Sequence, residues 1–311
     1  MSVPIITVTG ASGFLGGHVV ARLQADGWYV RAVTRRSRAV MADEIVVWRD
    51  ASDESAIQGA CHGAAAVVHL AAHAHVFDAG ARKAGDMARA NVAGAGTVAT
   101  AAARAGVRRM LLVSSVSARD ESGQANGYAW SKRASEDRVR ECVAGTDTDV
   151  VIVRPPLVYG EGMKGRPLRL FQLVSRGLVP AVGGSNARSV AYVGNVAASI
   201  GFLVAPGTSV PVRPIYPADA EPMSTSALIQ AIAEALGVRT HVVNVPRSVL
   251  MAIASVGTLT RRRLVPVTAE DVRRSLGTLV VDSSGAYPKN QAPFTTREGL
   301  RRTARWFAAT Q

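Results

Sequence analysis

The sequence predicts an α/β protein: a doubly wound parallel sheet carrying a smaller C-terminal α/β part. Short β-branched apolar runs alternate with helical periodicities through the first half of the chain, the pattern of a parallel sheet covered on both faces. A glycine-rich turn separates the first run from the first helix. At 311 residues and 48% hydrophobic content, the chain can bury the core such a sheet requires.

Each element follows from local pattern. Val3 to Thr9 is an apolar, β-branched run that stops at Gly10, as a buried strand does. Phe14, Leu15, Val19, Val20 and Leu23 recur at helical spacing between Gly13 and Gln24, and Gly27 ends that helix. Strands are predicted over Trp28 to Val33, Glu44 to Trp48 and Ala64 to Leu70. An alanine-rich helix runs from Ala84 to Ala105 and stops at Gly106. Arg109 to Ser114 is the next strand, Tyr128 to Val143 a helix and Val150 to Val153 a strand. Right-handed crossovers then wind the sheet on both sides. Beyond Pro155 the pattern loosens. Helices are expected at Pro167–Arg176, Val193–Val204, Ser224–Leu236, Ser248–Leu259, Ala269–Leu276 and Thr296–Phe307, with short strands between them. The expected division is a dinucleotide-binding domain over residues 1–154 and a smaller substrate-binding part over 155–311, packed on it without a linker.

Composition removes several classes of function. Cys61 and Cys142 cannot make a disulfide framework, and no zinc-type spacing accompanies them, which points to a reducing cytoplasm. The first residues lack the basic segment and apolar stretch of a signal peptide, and no window is long enough to span a membrane. The net charge is 36 − 23 = +13, but the arginines are scattered and aromatic content is only 5%, so a nucleic-acid surface is not expected. The positive charge instead suits solvated faces together with a site for an anionic cofactor or substrate.

Such a site starts at Thr9-Gly10-Ala11-Ser12-Gly13-Phe14-Leu15-Gly16. Gly10 permits a sharp turn, Gly13 lets a phosphate approach the backbone, and Gly16 lets the helix pack on the sheet. The helix start supplies N–H groups and partial positive charge to a pyrophosphate. Where an NAD site carries an acid for the adenosine ribose, this chain has Arg35 and Arg36 at the end of the second strand. Two guanidinium groups suit a 2′-phosphate, which favours NADP(H), with NAD the alternative. His69, His73 and His75 lack an acidic or cysteine partner and helical spacing, so no metal site is expected; His75 is a candidate substrate contact.

Tyr128 and Lys132 stand four residues apart at the start of a predicted helix, on one face. A tyrosine with its usual pKa near 10 needs a neighbouring positive charge to exchange protons at neutral pH, and Lys132 is placed to supply one. Ser115, at the end of the preceding strand, can hydrogen-bond the same substrate oxygen.

The G-x-x-G-x-x-G turn followed by this Ser, Tyr and Lys resembles the short-chain dehydrogenase/reductase superfamily. More narrowly, it resembles the extended branch, the NAD-dependent epimerase/dehydratase family of nucleotide-sugar enzymes, over nearly the whole chain. The resemblance implies a Rossmann domain with Ser12, Gly13, Phe14, Leu15 and Gly16 around the cofactor. It also implies Asp50 near the adenine, and Leu70, Ala71 and Ala72 alongside the cofactor. Lys132 would hold the nicotinamide ribose. Val153-Arg154-Pro155-Pro156-Leu157-Val158-Tyr159-Gly160 is similar to the family's lead into the substrate half and brings Pro155 to the cofactor. Arg188 would meet the diphosphate of a sugar nucleotide, UDP- or dTDP-linked, with Arg273 a second phosphate contact. Phe294 to Trp306 is similar to the family's closing helix.

Within the family, the chain looks most like bacterial surface-polysaccharide enzymes acting at carbon 4. These are NADPH-dependent reductases of 4-keto-6-deoxy sugar nucleotides, such as the one forming UDP-N-acetylquinovosamine, and NAD-dependent 4-epimerases. O-antigen or capsule assembly is the implied setting, and a homodimer through helices Ala84–Ala105 and Tyr128–Val143 the implied assembly. A non-catalytic dinucleotide-binding regulator is the remote alternative. Two departures stand out. Ser115 and Tyr128 are only 128 − 115 = 13 positions apart, shorter than in the family's usual loop. Val116 and Ser117 stand where dehydrating relatives carry an Asp-Glu pair, so elimination of water is not expected.

Overall fold

β1 (Ile5–Thr9) is buried along nearly its whole length, as the middle of a sheet covered on both faces demands. The computed structural model describes residues 3–35, 40–51, 53–72, 81–120, 127–181, 186–210, 212–259, 272 and 277–310. The chain forms two units. The first takes in residues 1–156, 196–217 and 283–291; the second takes in 157–195, 218–282 and 292–311.

In the first unit β1 is followed by α1 (Phe14–Ala25), β2 (Tyr29–Thr34), β3 (Glu44–Val47), α2 (Glu54–Cys61), β4 (Ala64–His69) and α3 (Ala81–Arg104). Then come β5 (Arg109–Val113), α4 (Tyr128–Val143) and β6 (Asp149–Val153). The six strands run parallel in the order β3-β2-β1-β4-β5-β6. This is the doubly wound Rossmann arrangement. Its strand order reverses between β1 and β4, opening a crevice at their carboxyl ends where such sheets bind ligands. At the far edge Ile215 lies parallel to Val153. The Arg154 N–H donates to the Ile215 carbonyl at 2.7 Å, and the Ile215 N–H donates to that of Ile152 at 2.8 Å.

Small side chains let the helices approach closely. Ala95, Ala99 and Ala102 of α3 pack with Trp48, Met110 and Val139 in one buried cluster. A Cβ at Gly96 would stand 3.0 Å from Nε of Arg138, so the Arg138 side chain of α4 lies directly over α3 there. Each fully buried Val or Leu in these layers contributes about 2 kcal/mol relative to an exposed one. The sequence pattern shows no helix between the third and fourth strands, yet the structure has α2. Its eight residues are too few for a periodicity to emerge, and its signal is the cap: the Asp53 carboxylate accepts from the Ala56 N–H at 3.2 Å.

The second unit contains β7 (Leu157–Tyr159), α5 (Arg166–Ser175), β8 (Leu178–Ala181), β9 (Val190–Tyr192) and the start of α6 (Val193–Val204). It continues with α7 (Thr225–Leu236), β10 (His241–Asn244), α8 (Arg247–Leu259) and α9 (Thr296–Ala309). β7 pairs parallel with β9, and β8 with β10. The described helices start within one residue of their expected positions, and two carry legible caps: Ser224 accepts from the Ala227 N–H and Thr295 from that of Glu298. Of the expected helix Ala269–Leu276 only Val272, which is buried, lies among the described residues. Among the described residues, no helix is long and apolar enough to cross a membrane.

Asp219 ties this unit together. Its buried carboxylate accepts from Tyr159 Oη at 2.7 Å, the Tyr192 N–H at 2.9 Å and Asn195 Nδ2 at 2.7 Å. Burial still raises its pKa above the ordinary carboxylate value despite those donors. Asp219→Ala leaves the buried Tyr192 N–H without its acceptor, while Tyr159 Oη and Asn195 Nδ2 keep the Thr296 and Phe294 carbonyls, and is expected to cost about 2 kcal/mol, read as a lower urea midpoint with an unchanged slope.

Candidate active site

Gly10 adopts φ +71°, and a Cβ there would lie 2.6 Å from the Ala71 nitrogen and 2.8 Å from the Leu70 carbonyl carbon. The chain leaving β4 therefore rests directly on the turn leaving β1, at the point where the strand order reverses. A Cβ at Gly16 would stand 2.2 Å from the Gly10 carbonyl oxygen, so α1 rises straight out of the turn. Gly13 begins α1 without a side-chain cap, and no acid occupies the first turn. The first-turn amides are thus left for an anion. Ser12 and Gly13 are exposed, while Phe14 and Leu15 are half-buried. These residues fit a dinucleotide: glycine at 10 and 16 lets the turn close against Leu70–Ala71 and α1 start tight on it, so that the open first-turn amides face a pyrophosphate.

Beneath the turn lies His69, the last residue of β4. Its Nδ1 lies 2.7 Å from Thr9 Oγ1, which itself accepts the Ala71 N–H at 3.4 Å. Burial, with the nearby charge of Lys132, pushes the imidazole pKa down to about 3, so His69 is neutral at pH 7. Among the described residues, no group of three or more His, Cys, Asp or Glu side chains could hold a metal ion. His73 and His75 lie outside the described residues.

Arg35 is exposed one residue past the end of β2. Arg36 lies outside the described residues. The Trp48 N–H donates to the Thr34 carbonyl at 2.9 Å, so the ends of β2 and β3 adjoin. Arg49 and Asp50, both exposed, follow directly. No local pattern marks Arg49; the pairing of β3 with β2 is what sets it beside Arg35.

Ser115, Tyr128 and Lys132 are gathered by contacts between α4 and the end of β5. Lys132 Nζ, buried, donates to the Val113 carbonyl at 3.1 Å and stands 6.0 Å from the centre of the Tyr128 ring. Arg133 Nε donates to the Ala118 carbonyl at 3.1 Å, holding α4 against the 3-10 turn Val116–Arg119. Ser115 begins that turn, with Oγ accepting the Ser117 N–H at 3.2 Å. The Val116 N–H donates to the Pro155 carbonyl at 3.1 Å, which brings Pro155 to the same corner. Ser115 and Tyr128 are both partly exposed, as groups that meet a substrate must be. Of the short segment between them, residues 121–126 lie outside the described residues.

Arg188 belongs to the second unit. One of its guanidinium nitrogens donates to the Gly277 carbonyl at 2.7 Å, and its backbone bridges Met223 and Leu279. Arg273 lies outside the described residues.

A doubly wound sheet with a glycine cradle at its switch point, and a Ser, Tyr and Lys set beside it, defines a nicotinamide-dependent enzyme of the short-chain dehydrogenase/reductase kind. The profile of the NAD dependent epimerase/dehydratase family matches residues 6–213, and the chain belongs to that family. It is 38% identical to a ceramide reductase of Caulobacter vibrioides, over 63% of this chain and 59% of that protein. It is 28% identical to a UDP-glucose 4-epimerase of Vibrio cholerae, over 97% of this chain and 95% of that protein. The fold is similar to that of a UDP-glucose 4-epimerase from Thermotoga maritima, with TM-score 0.74 at 19% identity over 98% of this chain and 99% of that one.

Two measurements probe this site. Gly10→Ala is expected to abolish dinucleotide binding, seen as loss of cofactor fluorescence transfer, because it drives a methyl into the Leu70–Ala71 backbone. His69 binds its proton more readily unfolded (pKa near 6.5) than folded (about 3). Its contribution to stability therefore falls as pH drops from about 6.5 towards 3. Thermal midpoints over that window should fall more steeply for the wild type than for His69→Asn.

Proposed function

We propose that this chain is an NADP(H)-dependent reductase acting at carbon 4 of a 4-keto-6-deoxy sugar nucleotide, UDP- or dTDP-linked, in cytoplasmic surface-polysaccharide synthesis. The observation that carries the reading is the Lys132–Val113 bond, which sets Tyr128 and Lys132 against the strand end bearing Ser115. Tyr128 gives its proton to the substrate oxygen as the carbonyl is reduced, and Ser115 holds that oxygen by a hydrogen bond. Lys132 favours the phenolate that remains and holds the nicotinamide ribose. When bound, the cofactor supplies the hydride. Arg35, with Arg36, gives a 2′-phosphate its positive partners, and Asp50 meets the adenine. The second unit binds the sugar nucleotide, with Arg188 on its diphosphate. The likeness to a protein named as a reductase supports reduction over epimerisation. That relative is named for a lipid, so the substrate screen takes lipid ketones beside 4-keto sugar nucleotides.

The second reading, an NAD-dependent 4-epimerase, is favoured by the near full-length likeness to the Vibrio enzyme. The family likeness also has the chain pair through α3 and α4, and a monomeric mass by light scattering would count against that.

Tyr128→Phe is expected to lower kcat about 100-fold or more while leaving cofactor affinity intact; unchanged turnover would indicate a binder that is no enzyme. Fluorescence titration should show NADPH bound more tightly than NADH. Arg35→Ala is expected to weaken NADPH by about tenfold and leave NADH alone. Tightly held NAD in the purified protein, with no NADPH preference, would instead select the epimerase.

A further inference from the structure

Lys132 and Glu136 sit one helical turn apart on α4, both buried, at 8% and 0% exposure. Opposite charges at that spacing on one face ordinarily pair, and burial strengthens the attraction. Here they do not. Lys132 Nζ turns to the Val113 carbonyl, and among the described residues it has no carboxylate partner. Both oxygens of Glu136 are taken by Arg154, at 2.9 Å from Nε and 2.5 Å from the second nitrogen of the fork. Ser114 Oγ donates to the same carboxylate. Arg154 is anchored in turn by donating to Tyr216 Oη at 3.1 Å, and the ring of Tyr216 lies 5.8 Å from the Arg119 guanidinium.

The backbone closes the ring. The Ser114 N–H donates to the Val153 carbonyl at 2.7 Å, and the Val116 N–H donates to the Pro155 carbonyl at 3.1 Å. Ser115 is thereby held on both sides by the residues flanking Arg154, while Arg154 grips the carboxylate that holds Ser114.

We infer that Glu136 and Arg154 are positioning residues. Arg154 sequesters the buried acid one turn along α4 from Lys132, leaving the ammonium to Tyr128, and Glu136 fixes Ser115 through Ser114. This rests on the reading of Ser115, Tyr128 and Lys132 as the reacting set. Removing either partner strains the pair, since a buried charge is left without its counter-ion; what marks sequestration is where Lys132 goes. Arg154→Met frees Glu136 to capture Lys132. Glu136→Gln breaks the same pair but creates no competitor for the ammonium.

The test measures kcat, NADPH affinity and thermal midpoint for R154M, E136Q, the double variant and S114A, with a crystal structure of R154M. R154M is expected to lose about tenfold or more in kcat at nearly unchanged NADPH affinity. E136Q and the double variant should stay within about threefold of one another and above R154M, showing strong coupling between the sites. The R154M structure should show Lys132 within 4 Å of Glu136, a readout that needs no substrate and so stands even if the proposed reaction is wrong. Equal losses in R154M and E136Q, or a Lys132 still on the Val113 carbonyl in R154M, would overturn the inference. If R154M does not fold, S114A decides: it keeps the ion pair and should lower kcat severalfold, and wild-type turnover would overturn the assignment.

Discussion

Everything at this site depends on two stretches of backbone lying closer together than any side chain allows. The Gly10 turn and the Leu70–Ala71 segment touch main chain to main chain, because β1 and β4 are neighbours across the point where the sheet reverses its order. That contact fixes where α1 begins, and so where its open amides point. It also places His69 under the turn. The cofactor cradle is therefore a consequence of sheet topology: glycines at positions 10 and 16 are what the strand order leaves room for.

The interior beside the cradle handles charge economically. Lys132 is buried as a cation among neutral groups, a carbonyl and an unprotonated histidine, while the one buried acid on its helix is held by an arginine. A buried ion pair contributes little net stability, since desolvation offsets the Coulomb attraction. Its value here is placement. The Glu136–Arg154 pair joins the helix that carries Tyr128 to the strand end that carries Ser115 and to the strand beyond it. Three elements far apart in sequence are thus indexed to one another by a bidentate contact.

Much of this was legible in the chain itself. The run ending at Gly10, the helix starting at Tyr128 and the caps at Ser224 and Thr295 are local signals, and the structure places those elements within a residue or two of where the pattern puts them. The sheet class followed from the alternation of strands and helices. What stayed hidden needed spatial knowledge. α2 is too short for periodicity, Arg49 gains meaning only when the ends of β2 and β3 adjoin, and His69 looks like a stray ligand until Thr9 is beside it. Glu136 was within reach of sequence reasoning, because its spacing from Lys132 is visible. Its partner Arg154 lies on another element, and no pattern joins the two.

The parallel bridge at Ile215 bears on how the chain is made. β6 is the last strand of the sheet, yet its outer side is bonded by a segment that arrives only after the whole of the second unit's first stretch and α6 have been synthesised. As the chain emerges from the ribosome, β6 stands as a bare edge, the kind of surface that recruits stray strands. The first unit cannot finish before the second has begun.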